Sequence, residues 1–464
     1  MLFSGFSFLF WFLPFTLLLY FLPQLAGLGN APRALLWQNA VLFFCSLLFY
    51  AWGEPLYVFL MLITVGVNAL LALLIARTRY RRAFLWTAIV FDAGLLLFFK
   101  YPPLLGLAAP RLPLGISFYT FQALSYVADV YMGRAEAERN PFYVGLYVAL
   151  FPQLIAGPIV RYTDVSRALH ARTHRARDAA AGVRRFAAGL AKKVLLANPA
   201  GALFATFGAG GADSAAGAWL ALLGFTFQIY FDFSGYTDMA VGLGRVFGFR
   251  FPENFRYPYI ATSVTDFWRR WHITLSSFFR EYVYIPLGGN RRTSARTVWN
   301  LFVVWALTGL WHGASWNFLF WGLYYFLLLI LEKHVWGKRL ARAPVALRRA
   351  LTFLFTLLGW GLFAFDGSTA ALQLSFLPRF LLTLVGFGER GFAYGSDLYD
   401  LLRSLSLLLL CAVGATPLPR RFFRYLTVRK NGGFWLAALP LVALLLCVAA
   451  LCDAGFNPFL YFRF

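Results

Sequence analysis

The sequence predicts an all-α, polytopic integral membrane protein with about 12 transmembrane helices and further re-entrant or interfacial helices. Three observations predict it. Only 13% of the 464 residues are charged and 60% are hydrophobic, whereas a soluble globular chain carries roughly 25% charged residues. The apolar residues gather into runs of about 20, the length that crosses roughly 30 Å of hydrocarbon. The 42 Lys+Arg against 19 Asp+Glu, a formal charge of +23, lie in short stretches between those runs, as the positive-inside rule asks of cytoplasmic loops. This balance excludes a soluble enzyme, a disordered chain and a disulfide-rich secreted domain. Since membrane topology already explains the basic residues, no nucleic-acid partner is expected.

Taken in order, the apolar runs are 2–24, 35–52, 55–76, 84–100, 142–160, 187–207, 216–236, 298–312, 314–332, 351–366, 401–416 and 433–452. The first has no basic region before it, and Arg33 is the first positive charge; it reads as a retained span rather than a signal peptide. The basic connections are 77–82, 161–193, 245–296, 333–349 and 420–430. Two spans separate each neighbouring pair, so all five fall on the cytoplasmic side and both termini on the far side. Counting 113–132 or 372–388 as a crossing breaks that parity, and both are expected to be re-entrant or interfacial. No internal repeat divides the chain, so 1–464 reads as a single membrane domain without the signature of an inverted-repeat transporter.

Polar groups inside apolar segments are costly and tend to be functional. The four cysteines lie in apolar stretches without metal-ligand spacing and are expected to be packing residues; no metal site or bound cofactor is expected. His170 and His174 sit among arginines and are expected to be solvated, and His334 to be interfacial at a span end. His312 lies in LTGLWHGASWNF between two spans. It is either a buried histidine bonded to a neighbouring helix or a general base, with Gly309 and Gly313 leaving room for a substrate. His272 lies in DFWRRWHITLSSFFREY, where aromatics alternate with Arg269, Arg270 and Arg280. That stretch is either an interfacial amphipathic segment or a set of phosphate donors beside a histidine. Asp232 and Asp238, in YFDFSGYTDMAVGLGR, are expected to neutralise arginines of the next segment.

Several long stretches carry a resemblance over nearly the whole chain: LPLGISFYTFQALSYVADVYMG, LFPQLIAGPIVRY, FDFSGYTDMAVGLGRVFGFRFPENFRYPY, TDFWRRWHITLSSFFREYVYIPLGGNR and LTGLWHGASWNFLFWG. In these the sequence resembles the membrane-bound O-acyltransferase family, in its bacterial alginate O-acetylation branch. The resemblance implies a ring of helices around a central tunnel, with His312 at the catalytic histidine and His272 at the second signature position. It implies an acyl-CoA donor; since the basic stretch 245–296 is cytoplasmic by the charge pattern, acetyl-CoA is expected to enter near Arg269 and Arg270, whose guanidiniums suit its phosphates. It also implies a periplasmic SGNH-type partner that passes the acetyl group to an exported or cell-wall polysaccharide, all at the bacterial inner membrane. D-alanyl transfer to teichoic acid from a carrier protein is the alternative, and a non-enzymatic transporter or flippase a weaker one. The aromatic ending NPFLYFRF is similar to that of the companion peptide of D-alanylation systems. Tyr461 is therefore either an acyl relay acting with His312 or part of an aromatic membrane anchor.

Overall fold

A computed structural model describes residues 1–28, 31–102, 107–108, 110–207, 214–364, 378–429, 432–453 and 460. Tyr461 and the rest of the tail from 461 onward, Phe459, loop residues 208–213 and the start of the 372–388 stretch lie outside the described residues. Among the described residues every regular element is helical. The chain divides into two compact units, residues 1–190 with 236–253 and residues 191–235 with 254–464.

The first unit opens with a π-helical turn, Ser7–Phe12, leading into α1 (Leu13–Leu25). It continues through α2 (Pro32–Ala51), α3 (Tyr57–Arg77), α4 (Arg81–Lys100), α5 (Ile116–Tyr131), α6 (Pro141–Ala149), α7 (Phe151–Leu154), α8 (Tyr162–His170) and α9 (Ala176–Ala191). The second unit holds α10 (Asn198–Phe207), the first two-thirds of α11 (Ala215–Val246), α12 (Val264–Trp268), α13 (Ile273–Phe279), α14 (Ser294–His312) and α15 (Trp316–Leu331). There follow α16 (Gly337–Leu340), α17 (Val345–Ala364), α18 (Gly395–Gly414), α19 (Leu418–Val428) and α20 (Gly432–Asp453).

Among the described residues eight helices are long and apolar enough to cross a membrane. They coincide with the expected spans 2–24, 35–52, 55–76, 84–100, 216–236, 314–332, 351–366 and 433–452. Their outward faces keep large apolar side chains uncovered, such as Trp11 at 79%, Val90 at 68% and Leu445 at 61% exposure. Such surface suits lipid and not water. Span 401–416 becomes α18, which bends by 70° into α19. Run 142–160 is broken at Leu150 into α6 and α7. Pro152 accounts for the break, because its ring would clash with the carbonyl four residues earlier in a continuous helix. Run 187–207 falls on helix that carries Lys192 and Lys193 at its centre, and 298–312 on α14, whose first turn holds Arg296; neither passes as a span.

The stretch 113–132 forms α5, a 16-residue helix with thirteen buried residues, packed against α3 and α4. Gly115 starts it in the left-handed region, φ +71°, where a Cβ would lie 2.8 Å from the Leu154 carbonyl oxygen. Only glycine tolerates both conditions. In the second unit α15 packs against both α14 and α17. Buried Trp321, Tyr325, Trp360 and Phe363 from α15 and α17 form the centre of its core with Trp271 and Phe267.

Some sequence expectations change here. Cys45, Cys411 and Cys447 are buried as expected, but Cys452 is exposed near the end of α20. His170 is half-exposed and 2.8 Å from Glu138. His174 is instead partly buried, with Nε2 3.2 Å from the Tyr20 hydroxyl. Its neighbour Arg172 is only 8% exposed. The basic loop folds back onto α1 and α2 and takes these two side chains out of water.

Candidate active site

His312 ends α14, and His272 starts α13 as its N-cap residue. Both are buried, at 6% and 2% exposure. They line one chamber together with Phe233 from α11, Trp268, Trp271, Trp321, Trp360 and Phe363. The chamber is narrow, about 20 Å³, which is room for little more than one water molecule. Trp311 packs against both imidazoles, with ring centroids 4.9 Å from His312 and 6.3 Å from His272. Trp321 and Phe363 each meet His312 edge to face at 5.1 Å, and Phe233 does the same to His272 at 4.7 Å.

The glycines near His312 serve packing rather than substrate space. A Cβ on Gly309 would lie 2.5 Å from the Phe318 carbonyl oxygen, and one on Gly313 would lie 2.8 Å from the Phe318 ring. On the facing helix, a Cβ on Gly322 would lie 2.5 Å from the Trp305 carbonyl oxygen. Small residues at such a crossing let two backbones approach closely. Here they seat α14 against α15 and bring Trp321 to His312. The room expected beside His312 is occupied by α15.

His272 takes φ +42°, a left-handed conformation unusual for a residue with a side chain. Asn254 holds it there. The Asn254 side-chain oxygen accepts from the Thr274 amide at 3.2 Å and the Thr274 hydroxyl at 2.9 Å. His272 Nδ1 lies 3.1 Å from the same oxygen. The Asn254 backbone carbonyl also accepts from the Ile273 amide at 3.0 Å. An amide oxygen only accepts, so Nδ1 carries the proton and Nε2 keeps the lone pair. Burial pushes the His272 imidazolium down to about 3, so the ring is neutral at ordinary pH. The amphipathic reading of this stretch therefore does not extend to His272, which faces inward.

Arg269 and Arg270 do not line the chamber. Arg269 is exposed, and Arg270 forms a 2.8 Å ion pair with Asp266 one turn earlier. The two aspartates of α11 are paired, but with partners before them in the chain rather than after. Asp232 takes Lys193 at 2.8 Å, both side chains almost wholly buried. Asp238 takes Arg185 at 2.8 Å, which also bonds Glu253 at 2.6 Å. A buried ammonium needs a carboxylate inside the same packed layer; Arg185 of α9 and Lys193 of the π-helical turn after it, Lys192–Ala197, pair with α11 across more than 35 residues.

Residues that sequence reading passed over complete the site. Asn254 stood in a quoted motif, FPENFRYPY, without a role. Trp268 and Trp321 line the chamber, and among the described residues their indole N–H groups have no acceptor. Leu460 is buried and donates its amide to Asp232 at 2.8 Å, so the chain immediately before Tyr461 is anchored to α11. The only hint available in advance was tryptophan abundance in the stretches flanking the two histidines.

The fold and site together define a polytopic membrane protein with two inward-facing histidines in an aromatic chamber. The sequence model of the membrane-bound O-acyltransferase family matches residues 138–365, a range containing both histidines. The chain is 38% identical over 427 residues to a probable alginate O-acetylase of Pseudomonas aeruginosa, covering 85% of this chain and 80% of that one. It is 36% identical to a peptidoglycan O-acetyltransferase of Helicobacter pylori, covering 80% and 79%. A teichoic acid D-alanyltransferase of Bacillus subtilis is more distant, 29% identical over 54% of this chain and 68% of its own. The chain belongs to the membrane-bound O-acyltransferase family, and it is an O-acyltransferase.

Proposed function

We propose that the protein moves acetyl groups from acetyl-CoA across the bacterial inner membrane for O-acetylation of an exported or cell-wall polysaccharide, with His312 as general base. The observation that carries this reading is the pairing of His312 and His272 on one closed aromatic chamber. The acetylating relatives align over about four-fifths of the chain, the D-alanylating one over about half. In the reaction His312 takes the proton of the attacking hydroxyl, the carbonyl carbon forms its new ester bond, and the CoA thiolate leaves. The indole N–H groups of Trp268 and Trp321 are donors suited to the oxygen of the developing tetrahedral intermediate. His272, neutral and fixed in one tautomer, orients rather than ionises. A chamber this tight also keeps water from the thioester, so side chains must move to admit the acyl group.

The donor is proposed to enter near exposed Arg269, with Arg270 held back by Asp266. Twelve crossings with both termini periplasmic, and a periplasmic SGNH-type partner completing transfer, belong to the same proposal. Its test is acetyl transfer from labelled acetyl-CoA in membranes that express His312→Ala. Positioned base catalysis supplies about 10²–10⁴-fold, and a loss on that order is expected at unchanged membrane abundance. Wild-type transfer by that variant would overturn the assignment.

A further inference from the structure

The first unit contains a cavity of about 1200 Å³ that plays no part in the proposal above. It lies where two spans end, lined by Phe21 of α1 and by Pro32 and Leu35 at the start of α2. Its other walls come from the α8–α9 region and from the turn after α11, with Gly248 at φ +84°. The cavity therefore sits at a membrane boundary, with an apolar wall on one side and a basic one on the other.

Arg172 is the centre of the basic wall. Its guanidinium is buried and, among the described residues, bonds neutral groups. Nε donates to the Tyr20 hydroxyl at 2.9 Å, and Nη1 donates to Asn39 Oδ1 at 2.6 Å and to the Ala168 carbonyl at 3.1 Å. Its Cζ lies over the Phe249 ring, 4.7 Å from the centroid. Among the described residues Nη2 has no partner. A buried cation without a counter-ion is costly, and among the described residues no carboxylate pairs with it. Arg167, Arg175, Arg245 and Arg250 stand exposed around the same cavity. Among the described residues two carboxylates line it, Asp164 and Asp178, and Asp164 accepts the Arg161 amide at the start of its own helix. A methyl group on Gly248 would lie 3.1 Å from Arg172 Cδ and 3.0 Å from the His174 ring, so glycine keeps this wall open.

We propose that this cavity binds a phosphate group at the membrane boundary, Arg172 supplying the buried donor and the surrounding arginines the rim. Phosphate presents several oxygens to arginine forks and brings the charge that Arg172 lacks. The cavity is much larger than a phosphate ion, so the group arrives attached to a larger body. Two sources carry that chemistry: the headgroup of an anionic phospholipid, whose chains would follow the apolar wall, and a soluble phosphate ester such as a nucleotide.

The experiment measures binding of dioleoylphosphatidylglycerol and of ADP to the full-length protein in phosphatidylcholine nanodiscs. The rim variant Arg175→Gln/Arg250→Gln is the primary reading, because Arg172 also ties Tyr20 to Asn39. Each lost charged hydrogen bond should weaken binding roughly tenfold, with a further loss in Arg172→Gln and none in Arg342→Gln, an exposed arginine elsewhere. Saturable phosphatidylglycerol binding with this pattern supports a lipid headgroup, and saturable ADP binding with it supports a soluble ester. If neither probe binds saturably, or Arg342→Gln weakens binding as much as the rim variant, the cavity is only part of a general basic face and the proposal is wrong.

Discussion

Asn254 has one side-chain oxygen and gives it three tasks: two donors from Thr274 and the Nδ1–H of His272. Replacing it by Leu removes the acceptor that selects the His272 tautomer and leaves the Thr274 donors unpaired. Partners that orient a working imidazole typically matter 10- to 100-fold where they have been measured in metal sites. A loss of transfer of about that size is expected for Asn254→Leu, with partial rescue in Asn254→Asp, which restores the acceptor. Equal loss in both variants would point to a fold defect. The pH dependence of stability follows from two other observations. Burial lowers His272 to about 3, and burial together with the Arg172 charge lowers His174 to about 4. The unfolded chain titrates its histidines near 6.5, so between these values and 6.5 it binds more protons than the folded protein. Stability contributed by keeping both rings neutral is full above about pH 6.5 and is lost progressively as pH falls toward 4. The thermal midpoint of detergent-solubilised protein should therefore be lower at pH 5 than at pH 7, and His174→Gln should reduce the difference. An unchanged midpoint would contradict the buried neutral state of these rings.

At the level of the helices, the chamber depends on how closely α14 and α15 approach. His312 lies on one and Trp321 on the other, and the crossing is set by Gly309 and Gly322. Gly322→Ala forces a Cβ to within 2.5 Å of a backbone oxygen, which cannot swing away as a side chain would. Overpacking of this kind costs about 1–3 kcal/mol. The expected outcome is a lower thermal midpoint together with reduced transfer, since separating the helices withdraws Trp321 from His312. Gly66, on lipid-exposed α3, has nothing within 4 Å of its would-be Cβ. Gly66→Ala is the control and should change neither quantity.

For the whole molecule, the proposed passage of the acetyl group from one side of the membrane to the other is testable at the C-terminal segment. The C-terminal segment bears on it because Leu460 is docked on buried Asp232, itself neutralised by Lys193. Tyr461 follows directly, and the relay reading gives its hydroxyl a role that the anchor reading does not. Tyr461→Phe keeps the aromatic body and removes only the oxygen. Lost polymer acetylation at normal membrane levels is the outcome expected of the relay; unchanged acetylation would leave the anchor alone. The assay should be run on envelope polysaccharide from cells, where any periplasmic partner is present.

The membrane class, the position of most spans and the two informative histidines were legible in the sequence because hydropathy is a sum over neighbouring residues. His312, between two apolar runs, stands out for the same local reason, whereas His272 sits in an arginine-rich stretch and was marked out by the family motif. Family motifs around His272 and His312 carried the O-acyltransferase class as well. The tertiary structure decided which groups meet. It set His272 and His312 on one chamber although 39 residues separate them, assigned Asn254 to the ring, and gave Asp232 and Asp238 cationic partners upstream rather than downstream. It also turned the glycines beside His312 from apparent substrate space into a helix crossing, and gathered Arg172 out of a loop that looked solvated. These outcomes depend on lateral packing between helices distant along the chain. Local patterning is nearly silent about that, because it records how strongly a side chain avoids water or lipid but not which neighbour satisfies it.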